Sequence, residues 1–330
     1  MIDLAIVGAG PAGLLTASRC AEAGFDVLVL EEHPTVGTPA HCTGIVSLET
    51  AEFAKIPDDL VLGRLTRARM VGPGGAQAEV EWQAPGNEQI LTIDRAAFDV
   101  RLAGEAIKAG ASVRTGARVE AIAVGSAWVE LRVGGERLRA RACVLACGVS
   151  YRFQRRLGLG LPGQVIHTAQ VEVDATPSDT VELHFGRRVA PDGFVWTVPL
   201  SRGGRSRLKV GVMACGDAGA HLERFLTRPD VSARLLGDPG PPTRRLLPLR
   251  PLAKTYADRL LVVGDAGGFT KPTTGGGIFY SLLTASLAAD TLLEGFGAGR
   301  LDEEFLEATS GAGRSGSARS CAWGTGCASS

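Results

Sequence analysis

The hydrophobic positions of the first thirty residues predict a strand, a helix and a second strand. Leu4–Val7 is an uninterrupted apolar run, helix-forming residues fill Leu14–Ala23, and Gly24 follows where that helix would end. A second strand-like run, Asp26–Leu30, begins shortly afterwards. Short, almost wholly apolar runs are typical of parallel strands that are buried on both faces. This stretch therefore predicts a β-α-β unit at the start of a parallel sheet.

The same alternation of apolar strand-like runs and helix-like segments occurs in two later parts of the chain. Asp94 is a natural N-cap for a helix that would carry Phe98 and Leu102 on one face, and Gly110 would end that helix. The elements that the apolar runs predict here are the helix Ile93–Lys108, the strands Ala111–Val119, Ala142–Ala146 and Leu260–Val263, and the helix Ile278–Leu293. Their alternation predicts further parallel strands in the first sheet.

A different pattern separates these parts. Residues 164–214 contain strand-like runs broken by Gly, Pro and Asp, which is typical of an antiparallel sheet. The runs are Val165–Val173, Thr180–Val189, Gly193–Leu200 and Arg207–Met213. Earlier in the chain, Leu60–Trp82 alternates loosely around Gly72–Gly75 and predicts a hairpin.

The predicted fold class is α/β with α+β character, a Rossmann-like nucleotide-binding domain with an inserted antiparallel β-sheet substrate domain. The nucleotide-binding domain is expected to be discontinuous, over residues 1–60, 92–160 and 252–300. Residues 61–91 and 161–251 would form the substrate domain. Residues 301–330 would form a short helix and a disordered tail.

Composition narrows the class of protein. The formal net charge of the 330 residues is zero, which gives no electrostatic case for nucleic-acid binding. The seven cysteines form no CxxC pair and no zinc-spaced Cys/His cluster, so we expect no metal site and a reducing, cytoplasmic location. We see neither a signal peptide nor an apolar run long enough to span a bilayer.

Glycines at G-x-G-x-x-G spacing follow the first strand. Gly8 allows a tight turn, Gly10 lets the backbone approach a pyrophosphate, and Gly13 lets helix and strand pack closely. The helix N-terminus offers free N–H groups to phosphates. Glu31 ends the second strand, 18 residues beyond Gly13, where an acid can accept from ribose hydroxyls. Strand, glycines, helix, strand and acid together predict a dinucleotide site.

A second glycine-rich loop lies far along the chain. Leu260–Val263 runs into Gly264-Asp265, and Gly275–Gly277 precedes the apolar helix that starts at Ile278. The N–H groups at that helix start could stabilise negative charge on a reduced ring system, and Asp265 could accept from a linker hydroxyl. Two such loops predict an extended cofactor with one end at each.

Four stretches resemble the geranylgeranyl reductase family of FAD-dependent oxidoreductases, which have the glutathione-reductase-type fold. They are VGAGPAG with Glu31, the Cys-containing loop GTPAHCTGIVS, the segment PDGFVWTVPL, and VGDAGGFTKPTTGGGIFYS. The resemblance implies FAD as the cofactor and an isoprenoid lipid or another apolar molecule as the substrate. It also implies reduction of C=C bonds by hydride transfer from the reduced flavin, with NADPH or ferredoxin as the external electron donor.

The resemblance also implies the site residues. The expected cofactor-binding residues are Gly8, Gly10, Pro11, Ala12, Gly13, Glu31, Glu32, Cys42, Arg95, Val119, Gly264, Asp265, Gly275, Gly276, Gly277 and Ile278. Among them, Arg95 would touch the pyrophosphate, Val119 would lie beside the adenine, and Cys42 would lie near the flavin. A lipid substrate would also bring the protein to the inner surface of the membrane as a peripheral protein.

Phe194 and Trp196 are the expected substrate wall, although a core position in the antiparallel sheet explains Trp196 equally well. The family motif prefers Tyr where Phe194 stands and Phe where Val198 stands, so a tyrosine hydroxyl is absent here. Cys42 could gate the flavin face or transfer a proton, or simply be packed. His41 has no partner in sequence that would support a catalytic role.

Three other functions are weighed against reduction. Flavin-dependent halogenases need a lysine between the first glycine motif and the substrate sheet, and no lysine lies between Lys55 and Lys108. Monooxygenases of the aromatic hydroxylase type usually carry a His where this chain has Gly267 and Gly268. The third alternative is a catalytically impaired FAD-binding protein.

The impaired alternative comes from the C-terminus. Thr309–Ser330 is a low-complexity stretch without apolar periodicity, whereas the family continues with a helical segment. Back-translation with GC-rich codons, read from the last base of the Ala308 codon, gives Tyr, Trp and Leu at near-helical spacing. We therefore hypothesise a frameshift near residue 308, which sequencing of the coding DNA would test.

Overall fold

The computed structural model describes residues 1–81 and 90–309. Its strands are β1 Ile2–Val7, β2 Val27–Leu30, β3 Ile45–Val46, β4 Val61–Leu65, β5 Arg67–Val71, β6 Gln77–Glu81, β7 Ile90–Ile93, β8 Ser112–Arg114, β9 Val119–Val124, β10 Val129–Val133, β11 Glu136–Leu145, β12 Val165–Asp174, β13 Thr180–Phe185, β14 Phe194–Arg202, β15 Arg205–Ala214, β16 Thr243–Pro248, β17 Tyr256–Ala257 and β18 Leu260–Val262.

The helices connect these strands and cover the sheets. They are α1 Pro11–Glu22, α2 Arg95–Lys108, α3 Arg152–Arg156, α4 Ala218–Leu226, α5 Pro229–Ser232, α6 Ile278–Ala298 and α7 Glu303–Thr309. Asp94 caps α2 as predicted, since its carboxylate accepts from the N–H groups of Ala96 and Ala97. The hypothetical frameshifted segment beyond α7 lies outside the described residues.

The first sheet has the order β17-β18-β11-β1-β2-β8. Strands β18, β11, β1, β2 and β8 run parallel, which confirms the predicted Rossmann-like core. The predicted strand Ala111–Val119 was wrong as a single element. The chain turns at Gly116, where φ is 63°, so β8 ends early and β9 begins an antiparallel meander with β10 and β11.

Helices α1 and α6 lie side by side and run in the same direction. The Thr16 hydroxyl donates to the carbonyl of Ala285, and the Arg19 guanidinium lies 2.9 Å from the carboxylate of Asp290. Both helices bury apolar residues in one cluster with β1 and β2. Their N-termini therefore meet at the same edge of the parallel sheet, beyond the carboxyl ends of the strands.

The second sheet has the order β16-β12-β15-β14-β13-β5-β6 and is antiparallel except between β13 and β5. Successive residues of a strand face opposite sides. We call the side that carries Ile166, Phe194, Trp196, Lys209 and Met213 the front face. The other side, the back face, packs its valines and leucines against Leu222 and Phe225 of α4.

The region predicted as one hairpin divides between two sheets. Strands β5 and β6 form a hairpin around Gly72–Gly75 at the edge of the second sheet. Strand β4 instead pairs with β7, which also pairs with β3 in a small three-stranded sheet. Trp82, the last residue of the predicted hairpin, lies outside the described residues. Within the described ranges, none of the helices combines the length and apolar character needed to cross a bilayer.

Candidate active site

The first glycine motif forms a tight turn between β1 and α1. Gly8 has φ +108°, and a Cβ there would lie 2.4 Å from the carbonyl oxygen of Ala146. A Cβ at Gly13 would lie 2.1 Å from the carbonyl oxygen of Gly8, so both positions exclude a side chain. A Cβ at Gly10 would meet nothing within 4 Å. The turn is therefore closed on the protein side and open at Gly10, where a pyrophosphate could approach.

Glu31 lies beside this turn. Its Oε2 accepts from the N–H of Ala9 at 2.8 Å, and its Oε1 accepts from the N–H of His33 at 3.0 Å. The Nδ1 of His33 lies 2.6 Å from the same Oε1. A carboxylate oxygen can accept more than one hydrogen bond, so Oε2 keeps capacity for a ribose hydroxyl. The glycine turn thus fixes the position of the Glu31 carboxylate through the N–H of Ala9.

The starts of α1 and α6 converge around Gly264, which follows β18. A Cβ at Gly264 would lie 3.2 Å from the Cβ of Ala12 and 3.0 Å from the Oγ of Ser281. Each helix starts after a glycine, Gly10 or Gly277, and within the described residues no side chain caps either start. Two sets of free N–H groups therefore face one region, which suits an anionic ligand.

Charged side chains lie between these helix ends and the start of α2. Arg95 donates to both carboxylate oxygens of Asp99, at 2.8 and 3.1 Å. Burial alone would lower the pKa of Arg95, but the carboxylates of Asp99 and Asp265 raise it. Burial raises the pKa of Asp265, and Arg95 opposes this rise. One guanidinium therefore lies within the electrostatic reach of both acids.

Asp265 is directed toward the second glycine loop. A Cβ at Gly277 would lie 3.0 Å from its Oδ1, so only glycine lets the carboxylate lie this close to the start of α6. The loop is held from behind by α3 and the residue before it. The Tyr151 hydroxyl donates to the carbonyl of Asp265 at 3.0 Å, and the Gln154 amide donates to the carbonyl of Ala266 at 2.9 Å.

The loop that contains Cys42 follows β2 of the parallel sheet, leads into β3 of the small sheet, and contacts the front face of the antiparallel sheet. The thiol of Cys42 accepts from the N–H of Gly44 at 3.3 Å and is half-buried. The ammonium of Lys209 donates to the carbonyl of Thr43 at 2.9 Å. The Thr43 hydroxyl donates to the Oε1 of Gln170 at 3.0 Å. The front face of the antiparallel sheet thus holds this loop by two side chains.

Phe194 and Trp196 both lie on the front face, as the period of the strand requires. Their rings are 5.9 Å apart in an edge-to-face arrangement. Trp196 lies flat across its cross-strand partner Gly211, where a Cβ would come within 2.2 Å of the indole. The indole Nε1 of Trp196 is buried and finds no acceptor among the described residues.

The two aromatic rings belong to an apolar cluster beside the second glycine loop. The cluster contains Ile166, Leu183, Phe194, Trp196, Met213, Leu247 and Leu249. A Cβ at Gly275 would lie 2.9 Å from the Cδ2 of Leu247 and 3.9 Å from the sulfur of Met213. The glycine loop at the start of α6 therefore packs directly against an apolar wall.

Glu32, Val119 and His41 each make contacts of their own. The carboxylate of Glu32 is half exposed and lies 3.5 Å from the Arg118 guanidinium. Val119 buries its side chain, and its carbonyl accepts from Arg152. His41 contacts Arg245, and burial together with that positive charge lowers the pKa of His41 to about 4. Its Nδ1 is buried without a partner in the described part of the chain.

Several residues that matter here were missed at the level of sequence. They are Tyr151, Gln154, Lys209, Gly211 and Met213. Lys209 could have been found, because it is the one charged residue in the otherwise uncharged run Leu208–Met213 and falls on the same face as Trp196. Gly211 carries no comparable signal, since only the cross-strand register reveals what lies over it.

The geometry fits an extended dinucleotide. Gly10 is open at one end, the start of α6 is free at the other, and Arg95 lies near Asp265 between them. The family described as FAD binding domain matches residues 1–294, which include both glycine loops and the antiparallel sheet. The protein is therefore an FAD-dependent oxidoreductase.

The similar proteins define the family more closely. The chain is 33% identical over 327 residues to the digeranylgeranylglycerophospholipid reductase of Methanoculleus marisnigri, covering 92% of this chain and 79% of that protein. It is 31% identical over 315 residues to the digeranylgeranylglycerophospholipid reductase of Methanosphaerula palustris, covering 88% and 76%. The chain belongs to this geranylgeranyl reductase family, as its motifs predicted.

Solved structures confirm the predicted fold class. A geranylgeranyl bacteriochlorophyll reductase-like protein of Thermoplasma acidophilum superposes with a TM-score of 0.83 at 23% identity, covering 93% of this chain and 81% of that one. Halogenase PltM in complex with phloroglucinol and FAD superposes with a TM-score of 0.73 at 16% identity, covering 93% and 72%. At these identities the likeness concerns the fold alone.

Proposed function

We propose that this flavoprotein reduces C=C bonds of an isoprenoid lipid, with a geranylgeranyl chain as the substrate class. When bound, reduced FAD supplies the hydride for this reaction. The names of the similar reductases support the substrate class. The glutathione-reductase-type binding mode, with the ADP portion at Gly10 and the flavin near Gly277, is part of this proposal.

The observation that carries the proposal is the packing of Gly275 against Leu247 and Met213. It brings the loop that would bind the flavin into contact with the apolar cluster on the front face. An unactivated alkene has no carbonyl for the protein to polarise. Alignment of an apolar chain beside the reacting ring must therefore supply most of the catalysis.

Each group of residues has a role in this proposal. Phe194, Trp196 and Met213 would bind and orient the chain, and contact with their apolar surfaces would exclude water from it. The free N–H groups at the start of α6 stabilise negative charge at the reacting end of the site. Cys42 either controls access to this end of the site or donates the proton that completes the saturation of the double bond. If Cys42 does not donate this proton, water does.

The domain division follows the same proposal. Residues 1–60, 92–160 and 252–300 would bind FAD, and residues 61–91 and 161–251 would form the substrate side. The order of strands supports this division, because β12 to β16 all lie in the second sheet. We propose NADPH or ferredoxin as the external donor and a peripheral location at the inner membrane surface.

The test uses the purified holoprotein. It would be reduced with dithionite without oxygen and given a digeranylgeranylglycerol phospholipid in detergent micelles. The expected result, measured by mass spectrometry, is that the lipid gains the mass of two hydrogens for each double bond that is saturated. If the flavin is reduced but the lipid keeps its mass, isoprenoid reduction is overturned. Oxygen-dependent hydroxylation of an aromatic substrate would then favour the monooxygenase alternative.

A matched pair of glycine variants separates the cofactor site from the fold. Gly10→Ala and Gly104→Ala each add a methyl group where nothing lies within 4 Å. Only the first methyl group would project toward a pyrophosphate, so we expect Gly10→Ala to weaken FAD binding by about tenfold or more. Gly104→Ala should bind FAD like the parent. Equal FAD affinities in the two variants would contradict the placement of the pyrophosphate.

A further inference from the structure

Lys209 is a buried lysine that has no part in the reaction proposed above. Its side chain is only 7% exposed and belongs to β15, an interior strand between β12 and β14 of the antiparallel sheet. An ammonium group has three N–H donors, and burying it without partners is costly. Lys209 directs them at the carbonyl of Thr43 at 2.9 Å, at the carbonyl of Cys42 at 3.4 Å, and toward Glu172 Oε2 at 3.7 Å.

A chain of charges continues from Lys209 to the start of α2. The Oε1 of Glu172 accepts from the Nε of Arg202 at 3.1 Å, and Arg202 also contacts Asp94. Asp94 caps α2, whose first residue is Arg95. The front face is thus tied both to the Cys42 loop and to the helix that carries the arginine of the cofactor site.

Gln170 adds a second tie to the same loop. It lies on the front face beside Lys209, one strand away, and accepts from the hydroxyl of Thr43. Lys209 binds the carbonyls of two successive peptides, Cys42–Thr43 and Thr43–Gly44, whereas Gln170 binds one side chain. The thiol of Cys42 projects from the backbone that these two residues hold.

We propose that Lys209, assisted by Gln170, is a positioning residue that holds the Cys42 loop against the flavin end of the site. The proposal rests on the proposed placement of FAD and on the assignment of Cys42 to its flavin end. It adds to the role proposed for Cys42, because the antiparallel sheet would then determine the position of the thiol. Substrate bound on that sheet and the loop beside the flavin then share one rigid support.

The test compares Lys209→Met with Lys108→Met in the FAD-loaded protein. Methionine keeps the length of the lysine side chain but has no donor, and Lys108 is exposed at the end of α2. Alkylation of Cys42 by iodoacetamide would be followed by peptide mass mapping, together with the visible circular dichroism of the flavin. Lys209→Met should be alkylated about tenfold faster at Cys42, and its flavin dichroism should change.

The kinetic readout is separate from these two measurements. If the lipid is saturated, Lys209→Met should lower kcat about tenfold and change KM little, because the apolar wall is intact. If no lipid is saturated, the proposed function is wrong. The alkylation rate and the flavin dichroism still test the role of Lys209 in that case. Alkylation and dichroism equal to those of Lys108→Met would overturn the proposal.

A second variant covers the case in which Lys209→Met does not fold. Thr43→Val removes the hydroxyl that donates to Gln170 but keeps the shape of the side chain. It should raise the alkylation rate of Cys42 about threefold, since a neutral hydrogen bond is lost rather than a charged one. An unchanged rate in Thr43→Val would count against the support of this loop by the sheet.

Discussion

The two faces of the antiparallel sheet are built from the same strands and differ in almost every physical respect. The back face packs Val195, Val210 and Val212 against α4 in a closed apolar cluster. The front face carries an apolar cluster that includes Trp196 of β14 and Met213 of β15, and the ammonium of Lys209 is buried on the same face of β15. One face is closed by the protein itself, and the other adjoins the glycine loop and the Cys42 loop.

Because alternate residues of a strand lie on opposite faces, the face on which a residue lies decides whether its substitution affects stability or turnover. Side chains at even-numbered positions of β14 lie on the front face, and those at odd-numbered positions lie on the back face, where Val195 packs against α4. A large side chain removed from the back face should cost stability and leave the site intact. A change on the front face should alter turnover with a smaller cost in stability.

The largest effect should come from Leu222→Ala in α4, the helix that covers the back face. Leu222 is completely buried against β12 and β15. Truncation should lower the free energy of unfolding by about 3 kcal/mol, measured by urea denaturation of the holoprotein. Leu236→Ala, at a side chain that is 65% exposed, is the control and should change little. A loss equal to that of the control would show that α4 is not part of the core.

Glu182 on the back face should give the next largest effect. Its carboxylate accepts from Arg234 at 2.7 Å and from the Thr197 hydroxyl at 3.1 Å. Burial alone would raise its pKa, but the hydrogen bonds from His184 and Arg234 lower it to about 2. Glu182→Gln should therefore cost roughly 2 kcal/mol of unfolding free energy at neutral pH.

The pH dependence of this effect has a definite sign. The pKa in the folded protein lies below the usual value of 4.5, so the stabilisation is fully present above pH 4.5 and is lost toward pH 2. The stability gap between the parent and Glu182→Gln should narrow over this range in denaturant titrations. A gap that stays constant with pH would mean that the pKa of Glu182 is the same in the folded and unfolded states.

Gly211→Ala should have a smaller effect on stability and a clear one on the site. The added Cβ would lie 2.2 Å from the indole of Trp196, so the ring must move. We expect a loss of about 1–2 kcal/mol, a shifted tryptophan fluorescence and a turnover lowered about tenfold. Gly237→Ala adds a methyl group to open space and is the matched control. Unchanged fluorescence in Gly211→Ala would refute the packing of the indole on β15.

The smallest change in stability should come from Trp196→Phe. It removes a buried N–H that has no acceptor among the described residues, which offsets part of the packing loss. Stability should change by less than about 1 kcal/mol, while KM for the lipid rises because the wall loses area. Combined with Gly211→Ala, it should relieve the clash, so the effects of the two substitutions should not add.

The sequence predicts the parts of this protein whose signals are local. Gly8, Gly10 and Glu31 are recognisable because a tight turn, an open backbone and an acid recur at fixed spacing. The strands of the antiparallel sheet are recognisable because their apolar runs end at Gly, Pro and Asp. Both signals lie within one or two neighbouring elements.

The remaining features depend on register between distant strands. Lys209 meets the carbonyl of Thr43 from more than 160 positions away along the chain, and Gly211 lies beneath Trp196 only because β14 and β15 pair in one register. The division of Leu60–Trp82 between two sheets is of the same kind, since β4 pairs with β7 rather than with β5. No local pattern encodes such pairings.

The capping of the three helices at the site affects how much folded protein a cell would contain. Asp94 caps α2 from within the chain, whereas α1 and α6 start after Gly10 and Gly277, which have no side chain to do so. If FAD binds at both of these helix starts, as proposed, its binding would stabilise the folded protein. A free cofactor concentration 100 times its Kd would add about 2.7 kcal/mol to the stability. In a cell short of riboflavin, the amount of intact protein should fall before the activity per molecule does.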